Sequence, residues 1–271
     1  VEFLTPSFDA QANNYDQRAG LSEELCRQIV KVALAYGEVQ PNDLVVEVGA
    51  GTGIIGQWFV QSSCHYIGFD ISPKMLEVYK SRLYSNKSNK DNWTLLTADG
   101  NEKWPVADAT ARVIFSSRAI HLLDTKHTVN ELFRVASDRT LFFIGRIQRH
   151  KYSIKEQIRQ QMQKLLQSHG LSGKGGEKKQ RQLMELCVQR GAKEIEPVVV
   201  SEWKVTSTPQ ESIDNWQKKP GLGGINLGQE IKQNILEELQ LWAKATYGRL
   251  DEQMESQEAY ILQGVYLVGD W

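Results

Sequence analysis

The chain has 271 residues, a formal net charge of −1, 41% hydrophobic and 24% charged residues, the balance of an ordinary globular protein. That length suits one large domain or a domain with a sizeable insertion, and the near-zero charge excludes a global pull toward nucleic acid or membrane. No apolar run approaches the ~20 residues of a membrane span, VEFLTPSFDA carries no signal-peptide pattern, and Cys26, Cys64 and Cys187 lack disulfide or metal spacing, so a reduced, cytoplasmic setting is expected.

LSEELCRQIVKVALAYG places Leu25, Ile29, Val32 and Tyr36 at helical spacing and stops at Gly37. LVVEVGAGTG then reads as a strand breaking into a glycine turn, with a helix to about residue 61. HYIGFDIS is the second strand, followed by a helix with Ser72 as N-cap and Pro73 at its first position. After the polar connection SNKSNKDN, WTLLTAD and ARVIFSS are strands three and four. TKHTVNELFRVAS is helical, with Val129, Leu132, Phe133 and Ala136 on one face, and TLFFIGRI is strand five.

The second half is less regular. Residues 155–168 and 177–190 read as helices around GLSGKGG, EIEPVVVSEWKVTST as a long strand, and PQESIDNWQKKPGLGG as a helix ending in a Gly/Pro hinge. LGQEIKQNILEELQLWAKATYG is a longer helix, and AYILQGVYLV closes the sheet. The final YLVGDW lies almost inside that strand pattern and the first residue is not Met, as in a piece excised from a longer polypeptide.

Apolar strands alternating with helices predict an α/β fold: a doubly wound, mostly parallel seven-stranded Rossmann-like sheet with an inserted helical lid in the C-terminal half. The expected organisation is a single domain, with residues 1–147 as cofactor-binding core, 148–255 as lid and acceptor side, and 256–271 as closing strand.

The glycines Gly49, Gly51 and Gly53, with Ala50 between the first two, are spaced GxGxG. The hydride-carrier fingerprint GxGxxG would need glycine where Ile54 stands. Asp70 closes strand two, where a ribose diol binds. Glu47 sits inside strand one, where a buried carboxylate needs a partner, and Asp99 ends strand three beside Gly100. Acids at three strand ends suit an ammonium, a ribose diol and an exocyclic amine, and they would repel a pyrophosphate. That combination points to S-adenosylmethionine.

VVEVGAGTG, IGFDIS and LLTADG at their mutual spacing resemble the successive motifs of class I S-adenosylmethionine-dependent methyltransferases. FDAQANNYDQRAG before them and VIFSSRAIHLL after them are similar to the ubiquinone/menaquinone- and biotin-pathway subgroup, over roughly residues 8 to 145. The resemblance implies that the Gly49–Gly53 turn runs along the methionine part of the cofactor and that Glu47 orients the turn or the amino group. It implies Asp70 on the ribose, Ile71 and Met75 against the adenine, Asp99 on the adenine amine, and backbone of Ser116 near the amino acid. Tyr15 and Arg18 match the segment that folds over the cofactor, with Arg18 as partner for its carboxylate.

The segment SSRAIHLLD should face the methyl group. His121 has a pKa near ~6.5 in its unperturbed form, suited to a general base, and Arg118 offers a planar fork to a carboxylate or phosphate. The Asp/Asn-Pro-Pro-Tyr turn of base-methylating relatives is replaced here by SSRA, which argues against that chemistry. His65, His127, His150 and His169 show no metal-ligand spacing. Between Arg146 and Lys193 twelve Lys/Arg face three Asp/Glu, but aromatic residues hardly interleave them, so solvated helix faces are expected rather than a nucleic-acid footprint. Trp203, Trp216 and Trp242 could wall an apolar pocket or pack in a core. The expected activity is transfer of a methyl group to a small-molecule or peptide-like metabolite, on oxygen and with a carboxylate held by Arg118 as favoured acceptor. N-methylation, RNA methylation and a non-catalytic cofactor-binding subunit are the alternatives.

Overall fold

The computed structural model describes residues 9, 12, 15, 16, 20–86, 92–171, 173, 176–219 and 221–267. Helix α1 (Glu23–Tyr36) starts at Ser22, whose hydroxyl accepts from the Leu25 amide, and it stops at Gly37. Its buried side is Leu25, Cys26, Ile29, Val30 and Ala33, one step round from the expected face. Tyr36 is 43% exposed and meets Phe143 edge-on. Strand β1 (Leu44–Val48), helix α2 (Gly56–Val60), β2 (His65–Asp70), α3 (Pro73–Ser85) and β3 (Trp93–Thr97) follow. Ser72 caps α3 by accepting from the Met75 amide at 3.2 Å.

Strand β4 (Ala111–Ser117) leads through a 3-10 turn (Ile120–Leu122) to α4 (Thr125–Val135), and β5 (Ala136–Arg149) begins without a loop. Helices α5 (Ile154–Ser168) and α6 (Gly176–Gln189), strand β6 (Lys193–Ser207), helices α7 (Pro209–Gln217) and α8 (Gln229–Tyr247), and strand β7 (Met254–Leu267) complete the order. A hairpin of two-residue strands, Gly221–Leu222 and Ile225–Asn226, lies between α7 and α8 and was not expected.

The seven strands form one sheet in the order β3-β2-β1-β4-β5-β7-β6. The β1–β2, β1–β4, β2–β3 and β4–β5 pairs are parallel. Strand β7 runs against both its neighbours. Lys204 meets Glu255, Glu202 meets Gln257 and Glu194 meets Gln263, so one sequence number falls as the other rises. Likewise Arg149 meets Glu258 while Phe143 lies against Gly264. The order reverses between β1 and β4, which is where an open α/β sheet presents ligand sites beyond the carboxyl ends of its strands.

Two compact units emerge among the described residues: those between 9 and 146, 176 and 201, and 260 and 267 in one, and those between 147 and 173 and between 202 and 259 in the other. The first holds a core of Val46, Val48, Phe69, Ile114, Phe142 and Ile144, joined by Leu183, Met184 and Cys187 of α6. That helix, expected in the lid, therefore belongs to the sheet unit. The second unit has its own core, in which Ile154, Ile158 and Met162 of α5 pack with Ile213 of α7 and with Ile235 and Leu239 of α8. Trp216 and Trp242 pack against that core. Among the described residues no helix is long and apolar enough to cross a membrane.

Candidate active site

At the end of β1 the backbone turns through Gly49, Gly51 and Gly53 at φ +73°, +55° and +74°. The turn is tied to β2 because Gly49 and Ala50 both donate to the Phe69 carbonyl, at 2.9 and 3.0 Å. Asp70, the next residue, accepts from the Gly51 amide through Oδ2 and from the Ser72 amide through Oδ1, both at 2.9 Å. One carboxylate thus fixes the glycine turn and the start of α3 together. Burial raises the Asp70 pKa, while the Ser72 and Gly51 amides act in the opposite direction. A Cβ on Gly51 would meet nothing within 4 Å, so the rim beside Asp70 is open. Ile71, 51% exposed, is the apolar side chain on that rim; Met75, expected beside it, is 2% exposed and packed into the core.

Glu47 departs from its expected place among the rim acids. It is 3% exposed and accepts from the Tyr66 hydroxyl at 2.5 Å. Its Oε2 lies where a Cβ on Gly56 would come within 2.3 Å, so the carboxyl sits under the start of α2. Burial raises its pKa to about 8 against the pull of the Tyr66 hydrogen bond, which leaves it mostly neutral at pH 7. The expected cradle of three carboxylates therefore loses Glu47, which lies under the turn, and leaves Asp70 and Asp99 at the strand ends. This shift has a consequence for stability. The folded protein binds this proton up to about pH 8, and the unfolded chain loses it near 4.5, so stability falls as pH rises through that window. The Glu47→Gln variant keeps an acceptor for Tyr66 and has no proton to lose. Urea unfolding at pH 5 and pH 8 should show wild type losing at least ~2 kcal/mol relative to it. Parallel pH profiles would mean that Glu47 is charged when buried.

Asp99 is half-buried and accepts from the backbone and side-chain nitrogens of Asn101, at 2.9 and 3.1 Å. Asn101 in turn accepts from the Asp124 amide at 2.7 Å, and Gly100 lies against Leu123, so the turns after β3 and β4 are clamped together. Ser116 is fully buried and donates to the Val48 carbonyl at 2.9 Å, tying β4 to the residue before the glycine turn.

Beyond β4, Arg118 adopts φ +63°, a left-handed conformation that costs a non-glycine residue about 1–2 kcal/mol. Its guanidinium lies 4.9 Å from the centre of the Tyr15 ring. His121 is half-buried on the 3-10 turn. The geometry thus brings Tyr15 to Arg118, and Asp70 to the glycine turn. Arg18 lies outside the described residues.

Several residues here escaped sequence reasoning. Asp9 accepts from the Ser72 hydroxyl at 2.5 Å. Asp16 accepts from the Thr52 hydroxyl at 2.5 Å and pairs with Arg82, whose Nε donates to the Thr52 carbonyl at 3.1 Å. Two acids within FDAQANNYD were the available signal, but their partners lie at least 36 positions away. Among the described residues no cluster of His, Cys, Asp or Glu is placed to hold a metal ion. Several of the twelve cations between residues 146 and 193 are engaged internally: Arg149 and Lys155 with Glu258, Arg159 with Glu156, and Arg190 over Phe133.

The sheet order with a single reversed strand, the glycine turn after β1 and the carboxylate closing β2 define the class I S-adenosylmethionine-dependent methyltransferase fold. Residues 45–138 match the family described as "Methyltransferase domain", and the protein is an S-adenosylmethionine-dependent methyltransferase. Among solved structures, the YcgJ protein from Bacillus subtilis is similar over 92% of this chain and 100% of its own, with a TM-score of 0.57 and 16% identity. A methyltransferase candidate from Bacillus halodurans is similar over the same shares of both chains, with a TM-score of 0.57 and 14% identity. A geranyl diphosphate C-methyltransferase from Streptomyces coelicolor covers 89% of this chain and 75% of its own, with a TM-score of 0.50 and 11% identity. At such identities the likeness is one of fold. No curated protein sequence matches the chain.

Proposed function

We propose that this methyltransferase acts on an oxygen of a small-molecule or peptide-like metabolite, with the cofactor along the rim formed by the ends of β1, β2 and β3. The observation that carries the reading is Asp70: its carboxylate, fixed by the Gly51 and Ser72 amides, borders the open space over Gly51. Each of its oxygens retains lone-pair capacity for a ribose hydroxyl. The residues fit S-adenosylmethionine. Asp70 would take the ribose diol, Ile71 the adenine face, Asp99 the adenine amine, and the Gly49–Gly53 backbone the amino-acid part. Ser116 and Glu47 would act by holding the turn in place. When bound, the cofactor supplies a methyl group on a sulfonium, whose departure needs no acid.

The protein's task is then alignment, exclusion of water and, for a hydroxyl acceptor, removal of one proton. His121 is the group assigned to that proton, and Arg118 orients the acceptor. Incubating the protein with methyl-labelled cofactor and a metabolite extract should yield, by mass spectrometry, compounds heavier by one labelled methyl. Alkali should release labelled methanol from a carboxylate acceptor, whereas an ether or amine product would survive. His121→Ala should lower turnover on a hydroxyl acceptor by about 10²–10⁴-fold with cofactor affinity retained. Full turnover in that variant would remove His121 as the base.

A further inference from the structure

Strands β4 and β5 run in parallel with Ser117 opposite Gly145, so the next residues along the two strands are Arg118 and Arg146. Both belong to the sheet unit and both are half-buried. In each, Nε is buried and has no hydrogen-bond partner. Among the described residues no carboxylate lies within ion-pair distance of either guanidinium, and the recorded partner of Arg118 is the Tyr15 ring. Four other half-buried or exposed arginines of this unit, Arg82, Arg112, Arg134 and Arg139, each face an acid, and Arg190 donates to the Asn130 side chain and lies over the Phe133 ring.

Two half-buried cations at adjacent strand positions, neither matched by a carboxylate, are unfavourable in a free protein, because each is partly stripped of water. The groups that sense the Arg118 charge do not relieve it. Cys26 is pushed up to about 12 by burial and Tyr260 is raised by burial, so neither is an anion at neutral pH. The backbone at Arg118 is also held in the left-handed region, at φ +63°. Strain and unpaired charge at the carboxyl end of a strand are features that a bound anion would repay through charge-assisted hydrogen bonds.

We infer that Arg118 and Arg146 together form the recognition point for an anionic acceptor, and that the acceptor class is a small molecule bearing a carboxylate or a phosphate. The inference rests on the methyl-transfer reading for the word acceptor, but the anion site stands on its own geometry. Planar guanidiniums present paired N–H groups that match either oxyanion, and a neutral isostere would leave both cations unsatisfied. Arg146 is then a specificity-determining residue supplied by β5 rather than by the motif-bearing segment after β4.

Thermal shifts measure this directly, with benzoate, phenyl phosphate and the neutral methyl benzoate as probes, each with and without S-adenosylhomocysteine. Benzoate or phenyl phosphate should raise the Tm of wild type, methyl benzoate should not, and the rise should vanish in both Arg118→Gln and Arg146→Gln. A shift with benzoate alone assigns the carboxylate, and one with phenyl phosphate alone assigns the phosphate. Arg146→Lys keeps the charge without the fork and should retain part of the shift. Equal shifts in wild type and variants, or none in wild type, would overturn the site. So would a drop beyond about tenfold in S-adenosylhomocysteine affinity for both Gln variants, since the guanidiniums would then serve the cofactor. If wild type binds the anions but not S-adenosylhomocysteine, the anion site survives and the methyl-transfer reading fails.

Discussion

Asp70→Ala should weaken S-adenosylhomocysteine binding by at least about 100-fold, measured by titration calorimetry, while the protein remains folded. The size follows from what the carboxylate does twice over. Two hydrogen bonds donated by a ribose diol to a charged acceptor are each worth about 1.5–3 kcal/mol when one partner is removed. The same carboxylate accepts from the Gly51 and Ser72 amides, so truncation also releases the turn on which the rest of the cofactor would lie. Asp70→Asn should not rescue. Both oxygens of Asp70 face N–H donors, so an amide must turn its own NH₂ toward one of them. A loss below about tenfold in the alanine variant would mean that the nucleoside binds elsewhere.

The glycine turn and the strand-end acids were legible because their signals are local. Three glycines within five residues and an acid closing each of the next two strands need no knowledge of pairing. Glu47 was misread for the opposite reason. An acid inside a strand asks for a partner, and the partner, Tyr66, lies 19 residues on in the next strand. Its hydroxyl satisfies a carboxyl that burial keeps mostly neutral, and neither fact is visible in the tetrad VVEV. Arg146 was hidden more deeply, since its neighbour is set by the β4–β5 register and not by any motif.

The same logic explains what was read well or badly in the scaffold. Apolar strands β1, β2, β4 and β5 stood out. The start of β7 did not, because MESQE is polar and largely exposed. The face of α1 was misplaced by one step because Cys26 and Ala33, both 0% exposed, carry the contact that larger Val32 and Tyr36 were expected to make. Small residues let elements approach closely, so they mark contact faces that a search for bulky apolar side chains overlooks.

Gly53→Ala should destabilise the fold by about 3 kcal/mol or more, seen as a lower urea midpoint with the slope unchanged. Two effects act at this position. At φ +74° an L-residue is strained by about 1–2 kcal/mol, and its Cβ would fall 2.0 Å from the Tyr79 ring. Tyr79 has no room to withdraw: it is 0% exposed and packs edge-on against Tyr66, which holds Glu47. Overpacking of that kind costs about a further 1–3 kcal/mol, against a total stability of about 5–15 kcal/mol. Gly51→Ala separates folding from binding. It shares the left-handed backbone, at φ +55°, but its Cβ would enter open space. The Gly51 variant should therefore keep most of its stability and lose cofactor affinity, because the added methyl occupies the space bordered by Asp70. Equal destabilisation by the two changes, with cofactor binding intact at Gly51, would show that the turn is a structural corner and that the rim is not where the nucleoside lies.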